Sequence, residues 1–520
     1  MARTPSARAC WPPPERRPRR GRGYTDPVST LLESLAHWRS APVLLVGDLM
    51  VDQLVLGDAE RLTADAPVPV LHVRETRRVA GGAANVALNL VALGMAVICV
   101  GIVGDDENGR WLLAHLNEAG VDTTAVITDP SRPTTTKQSL VGLAQHRHPQ
   151  KMFRVDHERR DALDAPFRAA VIHAAEAALS RCAVAAIEDY DKGVLRAGVC
   201  ESIITRAAAL GREVIVDPAK LTAYDRYRGA SAITPNRTEA ELATAMPTDS
   251  GADTLANARL AEAIRARFAI DRVILTLDRH GALLAEPARP PLSIPTVARE
   301  VYDVTGAGDM VLAALVAARA NHIPWPDAVR FANTAAGLEV EVFGVQPIPF
   351  ERVHRQVLLE ARALRGKRRS ADEAAVEVAA ARKEGRRVVF TNGCFDLLHA
   401  GHIRLLKQAA ALGDFMVVAL NSDASIRRLK GPDRPVNTED DRVAVMSELE
   451  SVGIVVLFEE DTPTTLIERL RPDVLAKGGD YTKDQVVGKD LVESWGGRVE
   501  LIPHLDGRST TQTIARLRLA

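Results

Sequence analysis

RRVVFTNGCFDLLHAGHIRLLKQAAALG, Arg386 to Gly413, is the stretch on which the reading of this chain turns. A basic start, the run VVF and an Asn-Gly pair predict a short buried strand that ends in a turn. Beyond the turn, apolar residues recur at helical spacing as far as Gly413, which predicts a helix. His399 and His402 then fall in the entry to that helix or in its first turn. Backbone N–H groups are unpaired there, and the helix dipole favours an anion. Taken alone, the pair has three readings: imidazoles that cap or pack, metal ligands, or donors that converge with the Gly393 amide on one phosphate. The metal reading lacks a third ligand, and zinc sites need three or four.

Working outward, 520 residues suffice for two or three domains with their own cores. The 66 basic and 67 acidic residues nearly cancel, so no global bias points to nucleic acid or to a membrane surface. No apolar run has the length of a bilayer span, and no membrane insertion is expected. Cys10, Cys99, Cys182, Cys200 and Cys394 show neither CxxC nor disulfide-like spacing, which fits a reducing cytosol and a cytoplasmic protein. Residues 1–40 are rich in Arg and Pro and are expected to be a disordered tail. Residues 41–350 form the first folded unit, 351–386 a charged helical linker, and 387–520 the second unit.

With its surroundings, GCFDLLHAGH resembles the signature of a nucleotidyltransferase family in which a Gly-x-Phe-Asp turn and His-x-Gly-His open a helix. The resemblance implies a small Rossmann-like domain in which His399 and His402 hold nucleotide phosphates while pyrophosphate leaves. A sugar phosphate is already ionised near neutral pH, so such a site needs positioning and charge stabilisation rather than a strong base. Thr391, Gly393, Phe395 and Asp396 belong to the same turn, with Cys394 as a small filler. Lys407, Lys430, Arg434 and Arg442 are candidate anion contacts, and AKGGDY (Ala476 to Tyr481) ends a further strand. Ser509, Thr510 and Thr511 precede the last helix. Alone they read as an N-cap, and in this company as phosphate contacts.

Between Ala41 and Phe350 the runs VLLVGD, VICVGIVG, AVAAIEDY, EVIVDP, AITPN and RVILTLD alternate with helical patterns, which predicts βαβ units around a mainly parallel sheet. No GxxxxGK[ST] occurs, so the phosphate site is not a P-loop. DVTGAGDM, Asp303 to Met310, places Gly306, Ala307 and Gly308 at a helix start, an anion-binding nest, with Asp309 beside it. Asp309 reads either as a favourable dipole partner or as a base for a hydroxyl attacking a γ-phosphate. This glycine cluster, with GGAANVALNLVALG (Gly81 to Gly94), resembles the two signatures of the ribokinase-type PfkB sugar kinases. That family implies a three-layer α/β domain with a β-flap, Asp309 as catalytic base, and Gly306, Ala307 and Gly308 as the anion hole. It further implies an Asn-x-x-Glu turn (Asn236, Arg237, Thr238, Glu239) serving ATP and magnesium, and Asp48, Asp52, Gly81, Gly82 and Asn85 around the sugar.

The order kinase then transferase resembles the bifunctional heptose 7-phosphate kinase/heptose 1-phosphate adenylyltransferases. It implies ATP and heptose phosphates as partners, Mg²⁺ arriving with ATP and no metal cage built by the protein alone. A homodimer through the kinase flap is also implied. Arg77, Arg78, Arg154 and Lys192 are candidates for the far phosphate of the sugar. His146, His148 and His157 belong to a His-rich loop expected to be solvent-exposed. A different sugar kinase joined to a cytidylyltransferase acting on an alcohol phosphate is the alternative, and a catalytically silent scaffold a more distant one.

Overall fold

The structure is a computed structural model that describes residues 27–143, 150–251, 254–296, 306–341, 346–478 and 482–503. The first unit is built on an eight-stranded sheet. Its order is Leu292–Ile294, Ala282–Ala285, Val273–Thr276, Ala232–Ile233, Glu213–Asp217, Val184–Glu188, Pro42–Gly47, Ala96–Val100. All six runs expected as strands are in it, and only Ala282–Ala285, between Val273–Thr276 and the edge strand Leu292–Ile294, runs antiparallel to the rest. Alternate residues of Pro42–Gly47 serve opposite cores: Val43 and Leu45 pack on one face, Leu44 and Val46 on the other. That is the pattern of a parallel sheet covered by helices on both sides. The helix Ala307–Ala320 is buried along most of its length and packs between Ala83–Ala92 and Trp325–Glu339.

A separate four-stranded sheet forms the flap, in the order Pro69–Gly82, Leu49–Leu62, Thr135–Leu143, Gln150–His157. Its register lines up Val79, Asp52, Lys137 and Asp156 across the sheet. Because side chains alternate between faces, Asp52 and Lys137 share one face, and Gln53, Gln138 and Val155 share the other. His157 is exposed as expected, while His146 and His148 lie outside the described residues.

The C-terminal unit is a six-stranded, wholly parallel sheet ordered Arg368–Arg369, Ile454–Phe458, Phe415–Asn421, Val388–Gly393, Val474–Gly478, Arg498–Ile502. Two expected boundaries are corrected here. Residues 351–386 are not a free linker. Val353, Val357 and Leu358 of the helix Phe350–Arg365 join the first core, whereas Arg368–Arg369 adds an edge strand to the second sheet. The next helix, Ala371–Lys383, sends Ala374, Val378 and Ala381 into the second core. Its charge misleads: Arg369 and Glu377 are buried and paired with each other, and Ser370 and Glu373 form a capping box. The expected tail is corrected at its far end: Pro27–Ala36 is a helix whose Leu31, Leu32 and Leu35 are buried in the first core, and residues 1–26 lie outside the described residues.

A fragment beginning at residue 387 would lack that edge strand and helix and expose their apolar seats. We expect residues 367–520 to melt cooperatively by circular dichroism and residues 387–520 not to. In the full chain, Arg369→Ala should destabilise this unit by about 3–5 kcal/mol, since it strands a buried carboxylate.

Candidate active sites

Kinase-like centre. Asp309 stands in the first turn of the helix Ala307–Ala320, whose N-cap is Gly306. Gly306 has φ 92°, a left-handed conformation that glycine adopts without a Cβ penalty. The amides of Ala307, Gly308 and Asp309 begin the helix and have no intrahelical acceptor. The Asp309 carboxylate is buried and accepts from Asn85 Nδ2 at 2.7 Å and from the Tyr190 hydroxyl at 2.8 Å. Burial pushes Asp309 up to about 6, against the two hydrogen bonds and the Lys137 charge, which favour the ionised form. Lys137 Nζ lies 4.5 Å over the Tyr190 ring.

Two further carboxylates meet Asp309. Glu188 and Asp217 end adjacent parallel strands and are opposite each other in register. Ligand oxygens of Glu188, Asp217 and Asp309 lie within 4.8 Å of one another. Burial first, and then nearby carboxylates (Asp217 for Glu188, Glu239 for Asp217), raise both Glu188 and Asp217 well above the ordinary carboxylate range, and Glu188 Oε2 has no hydrogen-bond partner. An oxygen-only set of this kind suits a hard divalent cation, although no protein cage was expected. Asn236 and Glu239 close a capping box: Asn236 Oδ1 accepts the Glu239 amide at 3.0 Å, and Glu239 Oε2 accepts the Asn236 amide at 2.8 Å. Arg237 pairs with Asp278 at 3.0 Å, and Thr238 is exposed.

The sugar residues divide. Asp52 faces Gly81, where any Cβ would collide with its carboxylate, and Gly82 leads into the helix that carries Asn85. Asp48 does something else. Its carboxylate accepts backbone amides of Tyr190 at 2.9 Å and Lys192 at 3.0 Å, with Val194 at 3.4 Å. It therefore fixes the loop carrying Tyr190 mainly through Oδ2, while Oδ1 has only the long Val194 contact. The four cations expected at the far phosphate each end on a carboxylate: Arg77 on Glu75, Arg78 on Glu107, Arg154 on Asp156, Lys192 on Glu158. Tyr190, Glu188, Asp217 and Lys137 were missed as site residues. The available signal was an acidic residue closing a buried strand, as in AIED and IVDP.

Transferase-like centre. Val388–Gly393 delivers the turn, and His399 is the N-cap of Ala400–Ala410 with His402 in its first turn. The two imidazoles stack at 3.9 Å and 22°. Phe395 contacts the His402 ring at 5.1 Å from a backbone with φ 45°, a conformation that costs a bulky residue about 1–2 kcal/mol. Gly393, Phe395 and His402 line a cavity of about 180 Å³ together with Lys477.

Several expected contacts point elsewhere. Asp396 is buried and accepts from Arg434 Nε at 2.6 Å, Val436 N at 2.8 Å and Asn437 N at 3.0 Å. Arg442 is buried too. It donates to the carbonyls of Cys394 and Asn421, both at 2.8 Å, and to Asp423 at 2.7 Å. Both residues hold the loops around the site and are committed to protein partners. Thr391 is buried within its strand, and Lys407 and Lys430 are exposed and line no part of the cavity. Ser509, Thr510 and Thr511 lie outside the described residues.

Comparison with known proteins matches each of the two units to a family. The pfkB family carbohydrate kinase pattern matches residues 41–351, and the cytidylyltransferase-like pattern matches residues 390–506. Bifunctional protein HldE of Trichlorobacter lovleyi is 44% identical over 475 residues, 91% of this chain and 95% of its own. Bifunctional protein HldE of Geotalea uraniireducens is 43% identical over 92% of this chain and 96% of its own. The tetrameric inhibited form of phosphofructokinase-2 from Escherichia coli shares the fold, with TM-score 0.50 and 16% identity over 62% of this chain and all of its own. With its motifs set in two separate parallel sheets, the chain belongs to the bifunctional HldE family, a ribokinase-like sugar kinase followed by a nucleotidyltransferase.

Proposed function

We propose that the first centre uses ATP to phosphorylate D-glycero-β-D-manno-heptose 7-phosphate at C1. The second transfers adenylyl from ATP to heptose 1-phosphate, giving ADP-heptose and pyrophosphate. The observation that carries the kinase half is Asp309, a buried carboxylate held by two donors at the start of a helix. The C1 hydroxyl gives its proton to Asp309 as its oxygen attacks the γ-phosphorus, and ADP leaves. Amides at the start of the helix receive the transferred phosphoryl charge. Asp52, Gly81 and Asn85 position the sugar. Glu188 and Asp217, beside Asp309, are the residues that would hold Mg²⁺, which when bound would offset the triphosphate charge.

In the second centre the heptose phosphate oxygen attacks the α-phosphorus, and His399 and His402 hold the phosphates as pyrophosphate departs. ATP and sugar phosphates as substrates support a cytoplasmic setting for both reactions. The homodimer reading is supported by the outward face of the flap, where Phe153 is 63% and Val155 40% exposed. On that face they lie opposite to Asp52 and Lys137, so pairing of two flaps would leave the sugar side open.

The kinase base acts ionised, so its kcat/KM should fall about tenfold per pH unit below about 6. Tyr190→Phe removes a donor to the ionised form and should move that acid limb to higher pH, while Asp309→Asn should lower kcat by about 10²–10⁴. Initial rates of ADP formation across pH check all three. For the transferase, heptose 1-phosphate and Mg²⁺ should yield ADP-heptose with ATP, measured by product mass and pyrophosphate release, and His399→Ala should abolish it. Product with CTP alone would favour the cytidylyltransferase alternative.

A further inference from the structure

Strand order in the C-terminal sheet marks a place that the histidine motif alone does not. From Val388–Gly393 the chain builds outward through Phe415–Asn421 to Ile454–Phe458. It then lays Val474–Gly478 on the opposite side of Val388–Gly393. At such a reversal a crevice opens beyond the carboxyl ends of the two central strands, and ligands bind there. Asn392 closes one strand and Lys477 the other, and they meet across the crevice. Lys477 Nζ donates to Asn392 Oδ1 at 3.0 Å, with the Asn392 carbonyl at 3.4 Å.

Those acceptors are neutral. The buried Arg369 and Arg442 and the half-buried Arg434 each reach a carboxylate: Arg369 to Glu377, Arg442 to Asp423, Arg434 to Asp396. Lys477 is half-buried, and no carboxylate pairs with it among the described residues. Holding an ammonium this way costs free energy that neutral acceptors return only in part. Its cavity is also lined by Gly393, Gly401 and His402, at the entrance to the helix that favours anions. At about 180 Å³ it has room for a phosphate group, a water molecule taking about 30 Å³ in the liquid.

We propose that Lys477 is a catalytic contact of adenylyl transfer: its ammonium binds the nucleotide's α-phosphate across the crevice from His402, and Asn392 positions it. A bond forms from the sugar-phosphate oxygen to the α-phosphorus. The bond from the α-phosphorus to the bridging oxygen breaks, and that oxygen leaves on pyrophosphate with the electron pair. Lys477 keeps its proton throughout and offsets charge on the equatorial oxygens. The inference rests on the adenylyltransferase reading above.

Two measurements on the full chain test it. In the first, Lys477→Met should lower kcat/KM for ATP in ADP-heptose formation about 10²-fold, mainly through kcat. Kinase activity of the same preparation and an unchanged melting curve report intact folding. A Met variant within threefold of wild type overturns the proposal. In the second, wild-type protein is treated with an amine-acylating reagent, and modification of Lys477 and Lys407 is read by mass spectrometry. ATP with Mg²⁺ should protect Lys477 and leave exposed Lys407 unchanged; no protection of Lys477 overturns the proposal. The footprint needs no sugar. Protection in a protein that makes no ADP-heptose would therefore sink the heptose reading and leave Lys477 as a nucleotide-phosphate contact.

Discussion

At the carboxyl edge of a parallel sheet the chain must leave each strand and enter a helix, so unpaired amides and the positive ends of helix dipoles collect there. Both centres of this protein depend on that constraint. The helices Ala307–Ala320 and Ala400–Ala410 each start at such an edge, with first-turn amides that suit a phosphate. The side chains added to it differ in sign. The kinase edge carries Glu188, Asp217 and Asp309, and the transferase edge carries His399, His402 and Lys477. The first set suits removing a proton and seating a cation, the second suits holding an anion that grows in charge.

Charged residues around each edge fall into two populations that sequence cannot separate. Asp48, Asp396 and Arg442 look like ligand contacts because they sit within motifs. Each instead makes two or more hydrogen bonds within the protein, to partners among residues 190–194, 434–437 and 394–423. A buried charge so supplied holds a loop, and its removal leaves those partners unsatisfied. Asp309 and Lys477 differ in place, since one stands in the first turn of the helix Ala307–Ala320 and the other lines the transferase cavity.

Much of the fold was legible because its signals are local. Six strands showed as β-branched runs, and Asp309 and His399 lie in contiguous glycine-bearing motifs that fix turn, helix start and side chain together. Glu188 with Asp217, and Asn392 with Lys477, were not legible in the same way. Each pair is assembled by register between neighbouring strands, which a single sequence does not state. The segment 368–383 was misread for a related reason. Arg369, Glu373 and Glu377 give it the composition of a solvated connector, yet ion pairing and capping allow all three to be buried. The tail failed at its end, where Leu31, Leu32 and Leu35 make a short apolar stripe after a long run of Arg and Pro.

The opposite signs of the two centres bear on why one chain carries two sheets. A carboxylate cluster raises the cost of each further negative charge near it, and here it already pushes Glu188 and Asp217 toward their neutral forms. Placed beside the transferase cavity, the same cluster would oppose the anion that His402 and Lys477 are arranged to hold. It would also offer Lys477 a permanent partner in place of Asn392. Separate sheets, each with its own buried clusters, keep either field from cancelling the other. On the proposed reactions the 7-phosphate must be removed between the two steps. The intermediate therefore leaves the protein in any case, and nothing is lost by keeping the centres apart. Fusion then ties the two activities in fixed ratio without requiring a passage between them.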